Sequence, residues 1–206
     1  MRGELRIYAG AAAGVGTTYA MLDEGIRRRD RGADVMVGCV ETHQRPNTTR
    51  QLVALTGSGD GSALLDLEDV LRRRPAVVLV DELAVDNPSG SAYRHRWQEV
   101  EAIIEAGIDV ITTLSVQQID SLADPVRQIV GMVPSARVPD EFLRHAGQIE
   151  LIDITPEAIR RRIAGEPTEH PGLDDGWRIQ RFTDAATLSA QRGAWVALAE
   201  LDDITR

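Results

Sequence analysis

GAAAGVGTTYA, residues 10–20, forms a glycine-rich link between a predicted strand and a predicted helix. The run from Ala11 to Thr18 fits the phosphate-binding-loop pattern small-x-x-x-x-Gly-Lys-Ser/Thr at its first, sixth and eighth positions, but Thr17 stands at the lysine position. In such loops, backbone amides point at phosphate oxygens, and the positive end of the following helix adds to the attraction. The stretch therefore predicts a nucleotide-binding loop whose contacting residues are Ala13, Gly14, Val15, Gly16, Thr17 and Thr18.

Apolar runs and amphipathic stretches alternate on either side of this link. The apolar runs predict strands at residues 5–9, 34–40, 76–80, 109–114 and 148–154. The amphipathic stretches predict helices at residues 17–32, 64–75, 96–107 and 139–147. Continuous apolar strands of this kind are typical of parallel sheets that are covered on both faces. The pattern predicts an α/β fold of the P-loop NTPase type, with three layers and a mostly parallel sheet.

The regular alternation ends near residue 163. Residues 164–176, AGEPTEHPGLDDG, are rich in proline, glycine and acids, which oppose regular structure. Beyond them, four apolar side chains follow helical spacing, namely Leu188, Trp195, Leu198 and Leu201. We therefore expect an α/β domain over residues 1–163, and a linker with a C-terminal helical appendage over residues 164–206.

Composition and charge limit the possible classes of function. The 206 residues carry a formal net charge of −9, which opposes a general affinity for nucleic acid or anionic lipid. No stretch approaches the roughly 18 to 20 apolar residues that span a bilayer, and the start lacks a secretory signal. The single cysteine, Cys39, lies in an apolar run and is expected to be a small core residue. The sequence predicts a cytoplasmic protein with no nucleic-acid partner and no membrane contact of its own.

A pair of acids supports the prediction of a nucleotide site. In RRPAVVLVDE, an apolar strand ends in Asp81 and Glu82, as in a Walker B strand. In that pattern the aspartate and the loop Ser/Thr hydroxyl hold Mg²⁺, and a following glutamate can orient water. We therefore predict ATP or ADP with Mg²⁺ as the cofactor, Thr18 and Asp81 as metal ligands, and Glu82 as the one catalytic candidate.

The missing lysine weakens this prediction. Its charge-assisted contact to phosphate contributes about 1.5 to 3 kcal/mol, whereas Thr17 offers only a hydroxyl. All 23 basic residues are arginine. Those at 27–29 lie about 15 Å along the predicted helix, so only Arg45, Arg94 or Arg96 could reach the site from loops. We expect weak or lost nucleotide binding and impaired hydrolysis; the alternative is an ATPase that uses one of these arginines.

The histidines have less specific interpretations. His43 follows a predicted strand, where open α/β folds bind small molecules, so it could contact a ligand or be a hydrogen-bonded loop residue. The other three, His95, His145 and His170, share no metal-ligand spacing with one another or with Cys39. No zinc site is predicted from them.

Six stretches resemble one family in particular. They are GELRIYAGAAAGVG, TYAML, VETHQR, RRPAVVLVDELA, AGIDVITTLSVQQIDSL and IELIDITPEAIRRRI, in that order along residues 3–163. Together they resemble the cytoplasmic N-terminal domain of the KdpD potassium-responsive sensor histidine kinases. The resemblance implies a regulatory input domain of a two-component system that controls potassium uptake or osmotic responses. It also implies a second sensor domain, membrane helices and a kinase core, none of which has a counterpart in these 206 residues.

The sequence departs from the family at polar positions of the predicted site. The family has lysine at Thr17 and proline at Ala13. Further departures are at Val85, Asp86, Ser115 and Gln118. This pattern favours a sensor module whose catalytic site is degenerate over an active ATPase. The expected partner is a sensor kinase or another protein, with a second copy of the chain as a further option. A free-standing protein that binds a sensor kinase is the third interpretation.

Overall fold

A computed structural model describes residues 2–11, 14–130 and 135–153. Its five strands are β1 (Leu5–Gly10), β2 (Val35–Cys39), β3 (Val77–Val80), β4 (Asp109–Ser115) and β5 (Gln148–Ile152). The helices of the described residues are α1 (Thr17–Asp30), α2 (Pro46–Thr56), α3 (Leu67–Arg73), α4 (Arg96–Glu105), α5 (Ala123–Val130) and α6 (Asp140–Leu143). Ala13, the predicted boundary at residue 163 and the predicted C-terminal appendage lie outside these residues.

The strand predictions are confirmed, and the helix predictions are incomplete. Each of the five apolar runs forms a strand, and α1, α3, α4 and α6 fall in the four predicted stretches. The sequence patterns did not single out α2 and α5. Cys39 is buried at the end of β2, and burial raises the pKa of its thiol to about 11, as expected of a core cysteine. Within the described residues, no helix is both long enough and apolar enough to cross a membrane.

The five strands pair in parallel to form one sheet. Their order is β2-β3-β4-β1-β5. The register of the central pairs is regular, with Leu5 opposite Val110 and Val77 opposite Asp109. The prediction of an α/β fold is therefore confirmed, and the sheet is parallel throughout rather than mostly parallel.

Apolar side chains cover both faces of the sheet and create three layers. One buried cluster lies under α1 and α2 and includes Met21, Leu52 and Leu79. The other lies under α3, α4 and α6 and includes Val78 and Phe142. Neighbouring residues of β3 serve opposite clusters, since successive side chains of a strand point to opposite faces. Each fully buried aliphatic side chain contributes about 1.5 to 3 kcal/mol.

The strand order creates a crevice at the carboxyl edge of the sheet. From β1 the chain crosses to β2 at one end of the sheet, whereas from β4 it crosses to β5 at the other end. Because β1 and β4 are neighbours, their connections leave adjacent strand ends and pass on opposite faces of the sheet, α1 on one face and α6 on the other. Open α/β sheets bind ligands at such a switch point. Gly10 and Ser115 end the two strands here, so the glycine-rich link lies at this edge.

Candidate functional site

The link between β1 and α1 requires its glycines. Gly14 and Gly16 have φ angles of 87° and 108°, in the left-handed region that residues with a Cβ rarely adopt. Gly16 caps α1, and its carbonyl accepts the first helical hydrogen bond from the Ala20 amide at 2.9 Å. Val15 between them is buried and packs its side chain into the protein. The helix therefore begins at Thr17 with its free backbone amides at the carboxyl edge.

The structure brings Thr18 and Asp81 together across 63 positions of sequence. The Thr18 hydroxyl lies 3.2 Å from each carboxylate oxygen of Asp81. The same carboxylate accepts hydrogen bonds from the Thr113 hydroxyl at 2.6 Å and from the Glu41 amide at 3.4 Å. Hydroxyl and carboxylate oxygens are the ligand types that Mg²⁺ prefers, so this pair fits Mg²⁺ in kind.

Asp81 is buried, with 2% of its surface exposed. Burial raises the pKa of its carboxyl, and the nearby charge of Glu82 raises it further. These effects outweigh the hydrogen bonds from Thr113, the Glu41 amide and Thr18. A carboxylate that is poorly solvated and has no arginine partner among the described residues is stabilised when a cation binds.

Glu82 takes a strained backbone conformation next to Asp81. Its φ angle is 55°, which is uncommon for a residue with a side chain. The Glu82 amide donates to the Thr113 hydroxyl at 2.9 Å, and its carbonyl accepts from Arg96 at 3.3 Å. Its carboxylate lies 3.4 Å from the His43 ring, which places both side chains at the same edge. Such strain is found most often at functional sites.

Thr113 of β4 is a site residue that the sequence analysis missed. Its one hydroxyl donates to Asp81 and accepts from the Glu82 amide, and its carbonyl accepts from the Leu83 amide at 2.9 Å. The residue therefore fixes the turn that follows β3. The only sequence signal is a pair of threonines inside an apolar strand, which is equally common in ordinary β structure.

The three candidate arginines occupy different positions. Arg96 is buried and donates to the carbonyls of Asp81 and Ala63 at 2.8 and 2.6 Å, so its guanidinium supports the turn after β3. The expectation that it could replace the lysine is wrong, because its donors are directed at backbone carbonyls. Arg45 lies by the loop, since a Cβ added to Gly14 would be 3.7 Å from its Nη2. Arg94 is exposed and precedes α4.

The triplet at residues 27–29 is at the far end of α1, as predicted. Its guanidiniums pair with carboxylates there: Arg27 with Asp23 at 2.9 Å and Arg28 with Glu24 at 3.0 Å.

Two of the positions at which the sequence departs from the KdpD pattern, one after β3 and one after β4, have local structural partners. Asp86 pairs with His95 at 2.6 Å. The Gln118 side chain accepts from the Ser115 amide at 3.2 Å.

The fold and site define a class: parallel α/β domains in which a glycine-rich link and a strand-end carboxylate meet at the carboxyl edge. Comparison with known proteins defines the family. A family model described as KdpD, osmosensitive K⁺ channel His kinase sensor domain, matches residues 1–194. The chain belongs to this family, and the resemblance drawn from its motifs is confirmed.

Curated relatives carry the same name. The Sensor protein KdpD of Mycobacterium tuberculosis is 51% identical over 171 residues, which cover 79% of this chain and 20% of that protein. The Sensor protein KdpD of Escherichia coli is 43% identical over 170 residues, covering 79% and 19%. The Putative sensor protein KdpD of Synechocystis sp. is 41% identical over 170 residues, covering 79% and 46%. The chain thus spans about a fifth of the first two relatives.

Proposed function

We propose that this chain is the cytoplasmic input domain of a KdpD-type two-component system that responds to potassium or osmotic conditions. We also propose that its carboxyl-edge site binds Mg²⁺ and ATP or ADP weakly and hydrolyses ATP poorly. Family membership supports the signalling part, because the matched relatives are named as sensor proteins. A sensor kinase is then the proposed protein partner.

The residues that would bind the nucleotide lie on either side of the crevice. The backbone amides from Gly14 to Thr17 would contact the phosphates, as expected for a glycine-rich link at a helix N-terminus. Thr18 and Asp81 would hold Mg²⁺, which neutralises phosphate charge when bound. Glu82 is available to orient water, but its carboxylate lies beside His43.

One observation carries the proposal of weak binding. Thr17 is the first residue of α1, one position before the threonine that contacts Asp81. The two residues proposed to hold Mg²⁺ are therefore in contact, whereas the ammonium group of the usual lysine is replaced by a neutral hydroxyl. A protein with this arrangement retains backbone contacts to phosphate and loses the strongest charge-assisted one.

Calorimetric titration with ATP and Mg²⁺, together with a phosphate-release assay, tests this proposal. We expect weak binding to the wild-type chain, and a gain of about 10-fold to 100-fold in the Thr17→Lys variant, equivalent to about 1.5 to 3 kcal/mol. The Thr17→Gln variant adds length without charge and should show no such gain. Tight binding and steady turnover by the wild-type chain would contradict the proposal.

The position of Arg45 favours a second candidate function, an ATPase in which this arginine supplies the missing charge. Its Nη2 reaches the neighbourhood of Gly14, and within the described residues no carboxylate lies in ion-pair distance of its guanidinium. Its backbone amide donates to the Thr42 carbonyl at 3.0 Å, which positions it at the start of α2. A guanidinium here could reach phosphates bound by the link.

Arg45→Gln separates the two candidates. If Arg45 replaces the lysine, this variant loses nucleotide affinity and any turnover, whereas the matched control Arg94→Gln keeps both. Equal affinity of the two variants and the wild-type chain would exclude the second candidate.

The signalling part of the proposal needs a separate experiment. The matched segment of the Escherichia coli relative is replaced with this chain, and autophosphorylation is measured at low and high potassium. A kinase that no longer responds to potassium would contradict an input function.

A further inference from the structure

Three metal-ligating side chains meet beside the proposed nucleotide site. Glu41 and His43 follow β2, and Glu82 follows β3. One ligand atom from each residue lies within 4.8 Å of the other two. The His43 ring approaches both carboxylates, with Nε2 3.4 Å from Glu82 and Nδ1 3.8 Å from Glu41. Since about 40 positions separate the two segments, only the fold brings these residues together.

The two carboxylates have no arginine partner among the described residues. Elsewhere in the described residues, acids such as Asp23, Glu24 and Asp69 pair with arginine. Within those same residues, Glu41 and Glu82 have no guanidinium within 4.0 Å, and His43 is their only ion-pair partner. Two carboxylates so close together repel each other, and a bound cation would relieve this repulsion.

The spacing and the donor types match a transition metal. Two ligands about 2.1 Å from a tetrahedral metal ion are about 3.4 Å apart, which is the separation of His43 Nε2 from the Glu82 oxygen. One imidazole and two carboxylates suit Zn²⁺ or a similar ion, whereas Mg²⁺ prefers oxygen ligands alone. Glu41 and His43 also line an open cleft of about 450 Å³, which leaves room for water or a small ligand at the remaining coordination positions.

The backbone around two of the ligands is fixed by contacts outside the cluster. The Glu82 amide and carbonyl are bound by Thr113 and Arg96. The Glu41 amide donates to the buried carboxylate of Asp81 at 3.4 Å. These contacts fix the backbone of the two glutamates beside His43. Since Nδ1 faces Glu41 and Nε2 faces Glu82, an ion bound through Nε2 requires the Glu41 carboxylate to turn toward that nitrogen.

We propose that Glu41, His43 and Glu82 form a binding site for a divalent transition-metal ion of the zinc type. The site is separate from the Mg²⁺ ligands Thr18 and Asp81. It does not depend on nucleotide binding, because none of its three ligands belongs to the glycine-rich link. Because Glu82 is one of the three ligands, an ion bound here would hold the one catalytic candidate by its carboxylate.

Calorimetric titration of the full 206-residue chain with Zn²⁺, without nucleotide, tests the site. We expect the wild-type chain to bind one ion, and His43→Gln and Glu41→Gln to lose affinity by about tenfold or more. Millimolar Mg²⁺ should not displace the ion. Visible absorption of the Co²⁺ form should show a low-coordinate complex in the wild-type chain and not in His43→Gln.

Two control variants show whether a loss of Zn²⁺ affinity is specific to the three proposed ligands. His95→Gln removes another histidine that is paired with a carboxylate, and it should leave Zn²⁺ affinity unchanged. Thr18→Ala removes a proposed Mg²⁺ ligand and should also have no effect, which separates this site from the proposed nucleotide site. No Zn²⁺ binding by the wild-type chain, or the same affinity in His43→Gln, would overturn the proposal. Because all three ligands are at least partly exposed, circular dichroism should show that the variants fold.

Discussion

The acids at the two edges of the sheet have different surroundings. At the amino edge, the buried carboxylate of Glu24 lies within 3.5 Å of four arginines: Arg6, Arg27, Arg28 and Arg31. At the carboxyl edge, Asp81 is buried still more deeply, but its contacts are hydroxyls and an amide. A chain that has arginine but no lysine thus neutralises one buried acid, and among the described residues it provides no arginine partner for the carboxylate of the other.

The two environments shift the pKa values in opposite directions. Burial alone would raise the pKa of Glu24, but the hydrogen bond from Arg28 and the charges of Arg6 and Arg27 lower it overall. For Asp81, burial dominates and the pKa is raised. Glu24 therefore stabilises the folded state as an anion, whereas the ionised form of Asp81 opposes folding until a cation binds. A destabilising charge of this kind is typical of a binding site.

Removing the charge of Glu24 should produce the largest change in stability. Glu24→Gln preserves the shape of the side chain but leaves four guanidiniums without their shared carboxylate. Loss of one partner in a buried ion pair costs about 3 to 5 kcal/mol. Since Arg27 and Arg31 are largely exposed, we expect a decrease of about 2 kcal/mol in the free energy of unfolding, or about 4 to 8 °C in Tm. Urea and thermal unfolding measure this change.

Asp30→Asn is the matched control. Asp30 lies on the same helix and pairs with Arg29 at 3.2 Å, but 63% of its side chain is exposed. Exposed pairs contribute little, so its free energy of unfolding should change by less than about 0.5 kcal/mol. If Glu24→Gln and Asp30→Asn changed the free energy of unfolding by similar amounts, the arginines around Glu24 would not be stabilising it. The contrast between Glu24 at the amino edge and Asp81 at the carboxyl edge would then be lost.

The sequence was sufficient for the strands and insufficient for some of the helices. Five short apolar runs predict five strands because both faces of this sheet are buried, so the strands need no polar alternation. Helix α2 was missed because Pro46, Asn47 and two threonines open it, and these residues have low helix propensity. Burial of Thr48 and Leu52 stabilises it instead. That packing is a tertiary effect and leaves little trace in the sequence.

The site shows the same division between local and long-range information. Motif spacing predicted that Thr18 and Asp81 would meet, and the structure places them in contact. It did not predict that His43 would lie between two glutamates, since contacts over 40 positions depend on which strands are neighbours. The sequence left Arg45, Arg94 and Arg96 as alternatives, and it could not show that the side chain of Arg96 binds backbone carbonyls inside the protein.

Neutralising Asp81 should have a smaller effect, of opposite sign. Asp81→Asn removes the poorly solvated charge but keeps an oxygen that can accept from Thr113. We expect the free energy of unfolding to rise by about 1 kcal/mol at neutral pH, which is about 2 to 4 °C in Tm for a chain of this size. The same variant should lose any stabilisation by Mg²⁺ and ATP, because a ligand raises Tm only when it binds the folded state.

The Thr113→Val variant provides the comparison for Asp81→Asn. It keeps the volume of the side chain but removes the hydroxyl that contacts Asp81 and Glu82, so it should lower the free energy of unfolding by about 1 kcal/mol. A decrease in the Asp81→Asn variant as well would show that the carboxylate stabilises the fold. The carboxyl edge would then resemble the amino edge.

The smallest expected effect is the pH dependence of the stability changes that Glu24→Gln and Asp81→Asn cause. The pKa of Glu24 is lowered from 4.5, so its stabilisation is complete above that value and disappears as the pH falls through its folded-state pKa. The pKa of Asp81 is raised from 3.8, so the folded state takes up this proton first as the pH falls. The advantage of Asp81→Asn should therefore shrink between neutral pH and 3.8, and the penalty of Glu24→Gln only below 4.5.

Unfolding of the three proteins across this pH range measures both trends. Each pH-dependent change can at most cancel the effect of its substitution at neutral pH, which is why it is the smallest of the three predictions. Exposed acids titrate almost equally in the folded and unfolded states, so their contribution cancels when each variant is compared with the wild-type chain. An Asp81→Asn advantage that stayed constant down to pH 3.8 would mean that the wild-type carboxyl keeps its charge without a cation. The hydrogen bonds from Thr18, Thr113 and the Glu41 amide would then be sufficient partners. That no guanidinium of the described residues pairs with the Asp81 carboxylate would no longer indicate a cation site.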